Sequence, residues 1–423
     1  MAPHARKPLA FVNARLVDPE KGVETRGGVL VENGVIKAFG GDVTRTNLPG
    51  EAAVVDCRGD VLAPGLIDFR AGVGGQGEAL ATVQAAARGG VKTLVASPES
   101  FSLPGANASG VRILPVGAIS QDFEGKKLAE FGLSRQAGAI AFSDGSRSIR
   151  NSQLLRRAML YARDLGALIV HFPQDEDLAG DGVMNDGLLA SRLGLIGVPR
   201  EAEAIALDRD LSLVRMTAAS YCAAPISTTL ALEAIARAKK QGLPVSCGVT
   251  INHLTFNEID ISAYNSLFKF QPPLRREEER LALVEAVASG LIDIVFSDHT
   301  PQPDAEKQKT FAEAAFGAVG LETLLPAALR LVHAEQIGLP QMLRAMTSRP
   351  AEILGLPQGR LALGAPADLI CIDPDDPFVL SRDELKSDCK NTPFDRARLQ
   401  GRVKTTMVGG EIIYSSLSED AHA

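Results

Sequence analysis

The middle of the chain switches repeatedly between short apolar runs and amphipathic helical stretches, and this rhythm constrains the fold more than any other feature. Between residues 62 and 350, eight strand-like runs stand out: 66–70 (LIDFR), 91–96 (VKTLVA), 112–117 (RILPVG), 138–142 (GAIAF), 167–172 (ALIVHF), 219–224 (ASYCAA), 244–249 (PVSCGV) and 292–297 (IDIVFS). Several are almost continuously apolar, as expected of parallel strands covered on both faces. Between them lie helical stretches such as NSQLLRRAMLYARDLG and EEERLALVEAVASG, the latter closed by Gly290 near a C-cap. Eight strand–helix alternations predict an α/β architecture, a (β/α)8 barrel of the TIM type. The third and sixth strands carry the least distinct signal.

The two ends of the chain share a different grammar. LAFVNARLV, GGVLVENGVIKAFG and AAVVDCRGDVLAP read as short strands, with Asn33-Gly34 marking a hairpin whose turn needs positive φ. GAPADLICIDPDDPFVL and GRVKTTMVGGEIIYS return to strands, with Gly409-Gly410 at a turn. The expected organisation is therefore a small β-sandwich built from residues 1–61 and 351–423, beside a barrel of residues 62–350. The final SSLSEDAHA is expected to fray.

Bulk properties remove several function classes. The 423 residues carry 44 basic and 51 acidic side chains, a net charge of −7 without a basic block, so no nucleic-acid partner is expected. The five cysteines (Cys57, Cys222, Cys247, Cys371, Cys389) are odd in number and never form C-x-x-C, which reads as reduced thiols of a cytoplasmic protein. The N-terminus lacks a signal-peptide core, and no run approaches the roughly 18 apolar residues of a membrane span. A soluble, cytoplasmic protein is the expectation.

In a barrel of this kind the site lies at the C-terminal ends of the strands. Those ends supply Asp68 and Arg70, Asp144, His171, Cys222 and Pro225, Asn252 and His253, then Asp298 and His299. A hydrolytic metal site in such a barrel needs about three to five His or carboxylate ligands. Histidine is scarce: of six, His4 and His422 lie at the termini, leaving His171, His253, His299 and His333. Asp144, His171 and Asp298 are the candidates for convergence. Each also has a structural reading: His171 as a hydrogen-bonded core residue, Asp298 as a cap or loop anchor, His253 and His299 as loop or helix-start residues. Arg70 reads as an anion binder or, better, as the ion-pair partner of Asp68 or another buried carboxylate. The glycine run RAGVGGQGEAL has no phosphate-loop lysine, and no G-x-S-x-G or Cys/His pair offers a nucleophile.

Longer motifs add a resemblance. PGLID, the segment from ALIVHFPQDED to ALDRDL, FKFQPPLRREEERLALVEAVASGLIDIVFSDHTPQ, EKQKTFAEAAFGAVGLETLLP, GAPADLICIDP and NTPF together resemble the dihydroorotases of the amidohydrolase superfamily, over roughly residues 8–414. The resemblance implies a (β/α)8 barrel with a β-sandwich from both termini, and zinc-dependent interconversion of carbamoyl aspartate and dihydroorotate. It also implies a proton-shuttling aspartate at the end of strand eight, here Asp298.

Carried over residue by residue, the implied site is depleted. The strand-one D-x-H-x-H stands here as Asp68, Phe69, Arg70, Ala71, Gly72, and the substrate-gripping arginine after it is replaced by Val73-Gly74. Of the two aspartates in FSDDG only Asp144 remains, in FSDGS. His171 is kept, with the following acidic residues displaced to Asp175-Glu176. The strand-six ligand position holds Pro225. Asn252 stands beside a retained His253, and two further substrate positions hold Gln271 and Gln302. Arg70, Gly72 and Pro225 thus replace three ligand positions, and Asp144 and His171 are residual candidate ligands.

Losing one ligand or its support commonly costs tens- to hundreds-fold in metal affinity, so no metal cofactor is expected. Three readings follow. The chain is most similar to the non-catalytic members that the family includes, a catalytically degenerate homologue serving as structural or regulatory partner of the aspartate carbamoyltransferase catalytic chain, as a homo-oligomer within a hetero-oligomer. Alternatively it is an active dihydroorotase-like cyclic amidohydrolase with a rewired, weak or single-metal (zinc) site using Asp144, His171 and Asp298, acting on carbamoyl aspartate and dihydroorotate or on a different cyclic amide. A third reading is a sensor in which Arg70 binds an anionic metabolite.

Overall fold

The computed structural model describes residues 7–74, 76–100 and 110–416. Gly75 of the glycine run and residues 417–423 of the expected frayed tail lie outside these. Each expected barrel strand is present: Leu66–Ala71, Val91–Ala96, Arg112–Leu114 continued by Val116–Gly117, Ala141–Phe142, Leu168–His171, Tyr221–Ala223, Val245–Thr250 and Ile294–Phe296. Successive strands pair in parallel from the first to the eighth. Closure between the eighth and first comes from a parallel bridge, Ala71 to His299, and from Ser297 N–H donating to Asp68 at 2.8 Å.

The third strand is split, and Pro115 is the reason. Proline has no N–H for the ladder, so Arg112–Leu114 pairs with the second strand while Val116–Gly117 pairs with the fourth. Inside the barrel, Phe69, Val95, Val116, Ala141, Val170, Cys222 and Phe296 form a packed core. Outside it, helix Ser152–Asp164 starts where the Asn151 side chain accepts from Gln153 and Leu154 N–H. Helix Glu277–Ala288 stops before Gly290, whose φ of +77° suits the position after a C-cap.

Strands from both ends form one continuous sheet. From one edge its order is Glu411–Ser415, Arg398–Val408, Leu369–Val379, Val61–Pro64, Leu9–Asp18, Val23–Glu32 and Val35–Gly40, with Ala53–Asp56 pairing on Leu9–Val12. The expected hairpin is there, with Asn33 at φ +51° and Gly34 at φ +80°. Val61–Pro64 pairs with Leu369–Ile372, so the barrel begins at Leu66 and not at residue 62 as the sequence suggested.

A buried charge cluster joins sheet to barrel. Asp368 accepts from Lys92 Nζ at 3.2 Å, from Arg112, and from Gly409 N–H at 2.7 Å. Burial pushes the fully enclosed Lys92 down to about 8 even though Asp368 opposes it. For Asp368, burial acts upward, but Lys92 and Arg112 outweigh it and hold the carboxyl below its usual range. Gly65 permits this joint: a Cβ there would lie 2.7 Å from Lys92 Cγ. Among the described residues no helix is long and apolar enough to cross a membrane, and all five cysteines are free thiols.

Candidate functional site

The strand ends bring the sequence-derived residues to one mouth, and there most of them turn to protein partners. Asp68 is fully buried and accepts from both the N–H and the hydroxyl of Ser297. Burial raises its pKa to about 7, against the lowering effect of those two bonds. Its role is barrel closure.

Arg70 does not contact Asp68. Its Nε lies 3.1 Å from Asp298 Oδ1, with the two side chains only 18% and 10% exposed. That contact is a charge pair without hydrogen-bond geometry, because Asp298 Oδ1 is a buried acceptor lacking a donor. Asp298 also sits at φ +55°, a left-handed conformation uncommon for a non-glycine residue. Burial pushes its pKa up, Arg70 counters, and the nearby Glu99 carboxylate adds to the rise.

The remaining candidate ligands do not form a donor set, which corrects the expected convergence of Asp144, His171 and Asp298. Asp144 accepts from Ile119 N–H at 2.8 Å, Ser120 N–H at 2.9 Å and the Ser120 hydroxyl, so both oxygens are engaged. His171 Nε2 accepts from Ile149 N–H at 2.9 Å, which places the ring proton on Nδ1, donating to Asp210 at 2.6 Å. Asp210 also accepts from Tyr221 and Arg209. Burial pushes Asp210 upward, but these partners win and hold it low. Of the displaced acidic pair, Asp175 caps the helix Glu176–Ala179.

His253 is likewise committed. Thr250 Oγ1 lies 2.7 Å from Nδ1, and Nε2 donates to the Pro272 carbonyl at 2.9 Å. Burial lowers its pKa to about 4. Asn252 is buried on the same short helix, Ile251–Thr255, and Gln271 is half-buried just before Pro272. Gln302 Nε2 donates to the Phe316 carbonyl at 3.1 Å. His299 is the exception: Nδ1 accepts from Gly320 N–H at 3.1 Å, while Nε2 is buried with no partner. Burial lowers its pKa to about 3.

The positions at which the resemblance implies absent acidic or histidine side chains hold other arrangements. Gly72 N–H donates to the His299 carbonyl at 2.7 Å, and a Cβ on Gly72 would come within 3.2 Å of that oxygen. Gly145 stands where the resemblance implies a second aspartate. A Cβ there would fall 1.8 Å from Glu99 Oε1, so Glu99 occupies that space. Pro225 has no donor atom in its side chain. Among the described residues no group of three or more His, Cys, Asp or Glu is arranged to hold a metal ion.

A cavity of about 350 Å³ opens at this mouth, lined among others by Arg70, Glu99, His299, Thr300 and Asp388. Sequence reasoning missed Glu99 and Asp210. Glu99 follows the second strand by three residues, so the strand-end rule contained the signal; Asp210 lies mid-helix, 39 residues from His171, and carried none.

The family model described as dihydro-orotase-like matches residues 59–231, and the amidohydrolase family model matches residues 190–413. A dihydroorotase of Wolbachia sp. subsp. Drosophila simulans is 36% identical over 426 residues, covering 97% of this chain and 96% of that protein. The chain belongs to the dihydroorotase family. A second family member, a dihydroorotase of Desulforapulum autotrophicum, is 36% identical over 423 residues, covering 96% of this chain and 99% of its own length. Among solved structures, the L-hydantoinase from Arthrobacter aurescens superposes with a TM-score of 0.84 at 23% identity, covering 97% of this chain and 96% of that one. That likeness supports the barrel-and-sheet fold of this dihydroorotase-family chain.

Proposed function

We propose that this chain is a catalytically degenerate member of the dihydroorotase family, a structural and regulatory partner of the aspartate carbamoyltransferase catalytic chain in de novo pyrimidine biosynthesis. The observation that carries the first half is the Arg70–Asp298 ion pair. It places a fixed positive charge at a family ligand position and ties down the aspartate that would move the proton. The donor chemistry does not fit zinc: Asp144 and His171 spend their acceptor atoms on protein N–H and O–H groups. Without a metal, water keeps a pKa near ~15.7 instead of ~7 and is a poor nucleophile at neutral pH. The partnership rests on the resemblance to non-catalytic family members, with a homo-oligomer of this chain inside a hetero-oligomer.

Metal analysis of the purified protein, with assays in both directions on carbamoyl aspartate and dihydroorotate, tests the first half. No stoichiometric zinc and no turnover are expected. Zinc at one per chain, with turnover abolished by Asp298→Asn, would instead establish the second reading, a rewired single-metal cyclic amidohydrolase. Two features favour that alternative: the left-handed backbone of Asp298, since strain concentrates at functional sites, and close relatives named dihydroorotase. Mixing this chain with the carbamoyltransferase tests the partnership, which fails if assembly and activity of that enzyme do not depend on it.

A further inference from the structure

The mouth cavity keeps polar groups that its filling has not satisfied, and they carry opposite character. Arg70 engages Asp298 through Nε alone, and no described residue accepts from its Nη atoms. His299 lines the same cavity and is 1% exposed. Because its Nδ1 accepts from Gly320 N–H, the proton sits on Nε2, a buried donor with no acceptor. A buried donor left unpaired is costly, and such groups call for a ligand or water. Together these are two donors suited to one carboxylate.

The rest of the lining speaks for the other sign. Arg70 and Asp298 cancel, whereas Glu99 and Asp388 have no cationic partner among the described residues. Glu99 accepts from the Ser97 hydroxyl and is wedged against Gly145. Two uncompensated carboxylates repel a dianion such as carbamoyl aspartate and attract an ammonium group. The hydroxyls of Ser146, Thr300 and Ser387 complete a polar lining.

We infer that the cavity takes a small zwitterion of the α-amino-acid class, its carboxylate on the Arg70 Nη fork and His299 Nε2–H, its ammonium facing Glu99 and Asp388. This deepens the reading of a silent active site and rests on it: a pocket relieved of hydrolysis holds a ligand of different charge from the family's substrate. The rim carboxylates are exposed, so binding weakens with added salt.

The test is a thermal-shift and calorimetry series on the full chain at low ionic strength. The probes are the twenty L-amino acids, the N-acetyl and α-amide forms of the best binder, and N-carbamoyl-L-aspartate. At least one amino acid should bind, with both blocked forms at least tenfold weaker and N-carbamoyl-L-aspartate weaker still. Glu99→Gln should weaken the amino acid at least tenfold while improving its N-acetyl form relative to wild type. Asp388→Asn on the open rim should act in the same direction and guards against a folding failure of Glu99→Gln. Absence of binding by every amino acid, or N-carbamoyl-L-aspartate binding as tightly as the best of them, overturns the inference. Zinc content and turnover, measured separately, report on the silent-site reading alone.

Discussion

Arg70 neutralises a carboxylate that would otherwise be buried beside another negative group. Replacing it with methionine keeps the bulk but leaves Asp298 facing Glu99 without a cation. Breaking one side of a buried pair typically costs 3–5 kcal/mol; with Arg70 18% exposed, we expect a loss of about 3 kcal/mol in urea unfolding. Arg70→Met combined with Asp298→Asn should recover most of it, because the amide carries no charge to strand. A double mutant as unstable as the single one would show that packing, not charge, is what Arg70 supplies.

At the scale of elements, the ends of the second and fourth strands have exchanged occupancy. Glu99 follows the second, Gly145 the fourth, and the Glu99 carboxylate lies where a side chain at 145 would go. Gly145→Asp should therefore destabilise by about 1–3 kcal/mol, as overpacking does, and should not restore metal binding. Adding Glu99→Ala should recover part of the loss, a coupling read directly from a double-mutant cycle. The strands themselves were legible because burial on both faces writes a continuous apolar run, as Val91–Ala96 shows. The third strand was faint because Pro115 divides it. The replacements that the resemblance implies at Arg70, Gly72 and Pro225 were legible because they fall inside short local motifs. What His171 does instead was not, because its partners, Ile149 and Asp210, are joined to it only by the fold.

For the whole molecule, buried titrating groups set the response to acid. His253 and His299 stay neutral down to about 4 and about 3 when folded, against 6.5 when unfolded, so the unfolded chain binds more protons as pH falls. Asp68 acts in reverse, since its folded pKa of about 7 exceeds the unfolded 3.8. Between pH 4 and 6.5 each of the two histidines contributes a loss of about 1.4 kcal/mol per unit of acidification, which Asp68 and the other carboxyls raised by burial, among them Asp144, Asp298 and Glu322, offset. His299→Asn removes one of these contributions and should lower the slope by about 1.4 kcal/mol per pH unit in urea titrations across this range. The sheet–barrel joint is the second whole-molecule feature. Asp368→Ala strands the fully buried Lys92 and should cost about 3–5 kcal/mol in global unfolding.

That joint and the sheet around it also set an order of events at the ribosome. Val61–Pro64 emerges early, yet its partner Leu369–Ile372 is about 300 residues further on. At about 5–20 residues per second this edge waits roughly 15–60 s for its neighbour. Throughout that interval the nascent chain exposes an open, wholly apolar β-edge. An open edge of that kind is a template for pairing with another chain, and in this fold it is closed only once residues 369–372 have been made.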